Sequence, residues 1–133
     1  MTTLSHAGKD LLRTCVIALD DAYQATTPAE RYVAAHIAAL RAGAALLATR
    51  AKPTRSQRIR SVWQMVPVIA PELGEWCAYF EVVGRRRIFV EIGREYVSQR
   101  QADDLVRDAE AFAEQIAAIL EVMLPIPSWP TAG

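Results

Sequence analysis

An all-α fold, an up-and-down bundle of four to five helices, is what this sequence predicts. Three observations carry that reading. Alanine is abundant and about half of the residues are apolar (52%), a composition that favours helix and a packed core. Apolar residues recur at three- and four-residue spacing along most of the chain. Helix-start signals stand at Thr27, Ser61 and Ser98.

The first helix is expected from about Ser5 to Tyr23, where Leu11, Leu12, Cys15, Ala18, Leu19 and Ala22 form one stripe. It stops near Thr26-Thr27-Pro28. The second opens there, with Thr27 as cap, Pro28 in the first helical position and Glu30 three residues after the cap. Val33, Ile37, Leu40, Ala44 and Leu47 read as its apolar side, and Ala38, Ala39, Ala42 and Ala45 let a neighbour pack closely. The short link makes helices one and two an antiparallel hairpin.

Residues 51–60 read as a basic connection. Ser61 then caps a third helix carrying Val62, Val66, Ile69, Leu73, Trp76 and Phe80. Pro67 and Pro71 predict a kink or two short helices, Pro71 starting the second and Gly84 ending it. Ile88, Phe89, Val90 and Ile92 have strand propensity, yet no second strand could pair with them, so a short separate helix is expected. Ser98 and Gln101 form a capping box for a long last helix with Leu105, Ala109, Phe112, Ile116, Ile119 and Met123, stopped by Pro125 and Pro127. The expected division is one domain over residues 1–127 and a flexible tail over 128–133.

The formal charge is zero, so no global field draws the chain to nucleic acid or membrane. Arg50, Lys52, Arg55, Arg58 and Arg60 form one basic cluster, and Arg85, Arg86 and Arg87 another. Cys15 and Cys77 suit two buried thiols in a reducing compartment. Charges interrupt any signal-peptide pattern, and the apolar stretch from Ala34 to Ala48 falls short of a membrane span, so a cytoplasmic location is expected. No cysteine or histidine spacing fits a metal site, and no phosphate-loop or serine-elbow motif is present, so no cofactor is expected.

Two constellations could carry chemistry. Arg55, Arg58 and Arg60 beside the Ser61 helix start combine positive charge with free backbone N–H groups, which suits a phosphate, and Trp63 could stack on a base. A solvated linker with Trp63 anchored in the core explains the same residues. The second is Arg31 and His36, an arginine and a histidine five positions apart. Five helical residues leave them about 140° out of phase, so one face cannot present both within a monomer. His36 also lies on the side of Tyr32, Leu40, Gly43 and Leu47, where an interior or interface histidine is expected.

The runs Pro28 to Arg41, Ser61-Val62-Trp63, Ala70-Pro71-Glu72-Leu73 with Glu75-Trp76, and Ala102 to Phe112 together resemble an actinobacterial branch of the HEPN superfamily (higher eukaryotes and prokaryotes nucleotide-binding domains). The likeness covers roughly Leu11 to Leu120. It implies a HEPN-like bundle, a homodimer, and a nucleic-acid-associated role. Many HEPN domains are metal-independent ribonucleases with an arginine followed four to six residues later by a histidine. By that resemblance His36 would move protons at the ribose 2′-hydroxyl and Arg31 would stabilise charge on the phosphate. Here the pair opens the second helix rather than lying late in the bundle, and Tyr32 replaces the usual small polar neighbour. The alternative is a non-catalytic scaffold or accessory module for a nucleic-acid-processing enzyme. A third reading is a site for a nucleotide or other small anion between helices.

Overall fold

A computed structural model describes residues 4–51 and 60–124. Five α-helices run in the order α1 (His6–Gln24), α2 (Pro28–Arg50), α3 (Val62–Ile69), α4 (Gly74–Glu91) and α5 (Gln99–Ile119), with a 3-10 turn at Pro71–Leu73 before α4. The caps predicted at Thr27, Ser61 and Ser98 are present: Thr27 accepts from the Glu30 N–H, and Ser61 and Ser98 each form a complete capping box, with Gln64 and Gln101 respectively. Ser5 adds a cap the sequence did not announce, accepting from the Gly8 N–H.

Long-range contacts fix the directions. Ser5 at the start of α1 donates to the Ala48 carbonyl near the end of α2, so the two are antiparallel. Arg31 and Arg50, at opposite ends of α2, reach Asp103 and the Ile119 carbonyl at corresponding ends of α5, so α2 and α5 are parallel. Tyr32 lies under Arg86 and His36 beside Phe80, so α4 runs against α2. Taken in chain order, the four long helices alternate up and down.

Helix α2 is the centre and touches every other helix. Its most deeply buried face is Tyr32, Ala35, His36, Ala38, Ala39, Ala42, Ala45 and Leu46, whereas Val33, Ile37, Leu40 and Leu47, the expected apolar side, are only partly covered. Close helix–helix approach is best served by alanine, and the larger aliphatics fill the wider margins. By length and composition α2 could cross a membrane; its place among four other helices accounts for its apolarity here.

The core's densest part is aromatic. Phe80 is sandwiched between Trp63 (ring centroids 5.3 Å, 25°) and Trp76 (5.7 Å, 13°), and Phe112 closes the cluster at 5.1 Å from Phe80. Cys15 and Cys77 are both free and buried.

Two helix ends differ from expectation. Gly84 does not end a helix, and residues 85–91 continue α4 without a break. A Cβ on Gly84 would stand 2.9 Å from His36 Nε2, so the glycine is there to let α4 approach the histidine ring. Helix α5 ends at Ile119, before the prolines are reached. Glu121 takes the left-handed conformation (φ 59°), and the Glu121 and Val122 N–H groups bond back to Ala118 and Ala117, a Schellman cap with glutamate in the usual glycine position. Met123 therefore lies beyond the helix and is exposed.

Candidate functional site

Arg31 sits in the first turn of α2 and spends its guanidinium on the fold. Its Nε donates to the Ala22 carbonyl at 2.9 Å. One terminal nitrogen donates to the Tyr23 and Ala25 carbonyls at 3.3 and 3.1 Å. The other meets Asp103 at 2.7 Å in a half-buried ion pair. The helix-terminal carbonyls of α1 lack intrahelical partners, so a planar five-donor group placed there both caps α1 and ties it to α5.

His36 lies one and a half turns further along, and the structure does not bring the two together on one face. The residue is 4% exposed. Nε2 is 3.2 Å from the Phe80 carbonyl, which fixes Nε2 as the protonated nitrogen and leaves Nδ1 buried without a hydrogen-bond partner. Trp63 packs against the ring at 5.9 Å and Gly84 lies against Nε2. Burial, reinforced by the Arg87 charge, lowers its pKa to about 4 despite the opposing bond to Phe80. His36 is therefore a neutral core histidine at physiological pH.

Of the expected phosphate-binding group, Arg55 and Arg58 lie outside the described residues. Arg60 is exposed. Ser61 uses its hydroxyl on the Gln64 N–H, and the Gln64 side chain returns to the Ser61 N–H, so the capping box occupies two donors that an anion would need. Trp63 is 8% exposed and belongs to the aromatic core, which leaves it unable to stack on a base. Two members of the second basic cluster are also spoken for: Arg86 pairs with Glu95 at 2.6 Å and Arg87 with Glu91 at 3.0 Å, whereas Arg85 is exposed and only approaches Glu81, at 4.0 Å.

The thiols offer no nucleophile. Burial pushes Cys15 up to about 12 and Cys77 up to about 11, so both stay protonated. Among the described residues no group of three or more His, Cys, Asp or Glu side chains is arranged to hold a metal ion.

Two features were missed in the sequence. One is the outer face of α4. Val82 (57% exposed), Ile88 (57%), Phe89 (51%) and Ile92 (61%) are large, apolar and directed away from the core. The sequence places Ile88, Phe89 and Ile92 on a short separate helix beyond Gly84, so the face they share with Val82 on one continuous helix is not visible there. The other is a cleft of about 460 Å³ lined by Glu72, Glu75, Trp76, Tyr79 and Asp108. It joins the 3-10 turn, α4 and α5, and no local motif announces it.

A family model described as SAV_6107-like HEPN matches residues 22–117. No curated protein and no solved structure matches the chain. The matched span runs from the end of α1 nearly to the end of α5 and includes the whole aromatic core. It makes this chain a member of the SAV_6107-like HEPN family.

Proposed function

We propose that this HEPN domain is a non-catalytic interaction module that pairs with a second copy of itself and serves as an accessory to a nucleic-acid-processing enzyme. The observation that carries the reading is the apolar outer face of α4. Helices of a bundle bury one face and solvate the other; α4 is apolar on both. Val82, Arg85, Phe89 and Ile92 follow the four-three spacing of a helix–helix seam. A second copy running antiparallel sets Val82 against Ile92 and Arg85 against Phe89 across the axis. Aliphatic contact and a cation–π pair then recur on both sides, as a two-fold interface requires.

The environments of Arg31 and His36 support the non-catalytic half. A general base needs a matched pKa and reach to the proton it takes. His36 is buried and its pKa is about 4, while Arg31 has its donors on backbone carbonyls and Asp103. HEPN membership supports the nucleic-acid context.

Sedimentation equilibrium of the purified chain tests the pairing. Wild type is expected as a dimer at micromolar concentration. Phe89→Glu with Ile92→Glu should weaken it by at least about 100-fold, since buried anchors of an interface each contribute on the order of 2 kcal/mol. Both side chains are exposed, so the helical circular dichroism should be unchanged. A monomeric wild type, or an equally tight dimer in the double variant, would remove the α4 face from the account.

A further inference from the structure

The cleft between the 3-10 turn, α4 and α5 differs in character from everything around it. Two of its walls are aromatic. Trp76 is backed by Phe80, parallel to it within 13°, and by Phe112 at 6.2 Å, which holds the indole in place. Tyr79, one turn further along α4, meets Trp76 edge-on at 6.4 Å and 68° and is 39% exposed. Its hydroxyl donates to Asp108 Oδ2 at 2.7 Å, so the phenol ring is braced from α5.

The remaining lining is negative. Glu72, Glu75 and Asp108 reach the same space from three elements, and none of them forms an ion pair with a described cation. Acidic residues at the start of α4 also suit the helix dipole, which accounts for Glu72 and Glu75 individually. The dipole does not account for Asp108 from α5, nor for two braced aromatic faces beside those charges. Burial first, then the bond to Asp108 and the charges of Asp108, Tyr32 and Asp104, push the Tyr79 pKa well above the ordinary tyrosine range.

Aromatic faces and carboxylates share one ligand preference. The negative face of a π-system attracts a cation with a soft, partly apolar shell, and nearby carboxylates add charge. A compact metal ion would need converging oxygens, and these carboxylates do not converge. The geometry points to a binding site for an organic cation, an alkylammonium group held against Trp76 and Tyr79 and neutralised by Glu72, Glu75 and Asp108. Such a group can come from a free polyamine or from a lysine side chain of a protein partner. Phosphate and nucleic acid are repelled there. The site is separate from the outer α4 face and does not depend on dimer formation.

The test is a ¹H–¹⁵N NMR titration of the full chain with tetramethylammonium, spermidine and a short lysine peptide, with inorganic phosphate as the opposite-charge control. Expected are saturable shifts of the Trp76 indole N–H and of the amides of residues 75–79 and 108, and no effect of phosphate there. Glu72→Gln with Glu75→Gln, both exposed, should weaken binding roughly tenfold, about threefold for each charge. Trp76→Leu should weaken it at least about threefold, and Tyr79→Phe, which keeps the ring, should leave it measurable. Tightest binding of the peptide assigns the cation to a protein partner; tightest binding of spermidine assigns it to a polyamine. The proposal is overturned if none of the three cations gives saturable shifts. It is equally overturned if the shifts survive the double glutamine variant unchanged, or if phosphate perturbs the same signals.

Discussion

Arg31→Met is expected to destabilise the protein by about 2–4 kcal/mol, among the largest effects of any single substitution outside the aromatic core. One guanidinium serves three carbonyls, those of Ala22, Tyr23 and Ala25, and the Asp103 carboxylate. Hydrogen bonds to a charged group contribute about 1.5–3 kcal/mol, and a carbonyl left without a partner adds its own desolvation cost. The net loss is held to this range because Arg31 and Asp103 are only half-buried and water can reach part of what is vacated. Arg31→Lys should recover less than half of the loss, because a single ammonium cannot span both the end of α1 and Asp103. Urea denaturation followed by circular dichroism measures both variants. Unchanged stability of Arg31→Met would show that the arginine is dispensable to the bundle.

Acidification should cost comparable stability through His36. Its folded pKa of about 4 lies below the ordinary value of 6.5, so between those limits the unfolded chain binds a proton that the folded chain does not. Stability therefore rises with pH in this window, and falls as pH drops from about 6.5 to about 4, by roughly 3 kcal/mol at 1.36 kcal/mol per pKa unit. His36→Gln can still donate to the Phe80 carbonyl and has no titration. It should remove most of this slope while leaving neutral-pH stability within about 1–2 kcal/mol. Paired urea curves across that pH range isolate the histidine, since the carboxylates that titrate below pH 5 are common to both proteins. Parallel pH profiles for the two would contradict a buried, neutral His36.

Much of the architecture was legible because helix starts are local chemistry. Thr27-Pro28 with Glu30, Ser61 with Gln64, and Ser98 with Gln101 each satisfy backbone donors within four residues, and all three open helices. Gly84 misled because a glycine that ends a helix and a glycine that admits a neighbour look alike in sequence. Only His36, 48 positions earlier in the chain, distinguishes them. The same limit governs the site. Spacing marked Arg31 and His36 as a pair, but Asp103 and Phe80, far away in sequence, determine what each side chain does. The cleft was invisible for that reason too: Trp76 reads as a core position, and nothing local links it to Tyr79 or Asp108 until the fold sets them around one space.

Arg31 and His36 are proposed to hold the bundle together and to cleave nothing. The most direct measurement is incubation of the purified wild type and of His36→Gln with a mixed RNA pool in EDTA, each protein first shown to be folded. Intact RNA is expected with both. Cleavage by wild type that His36→Gln abolishes would contradict it and return the pair to a catalytic role.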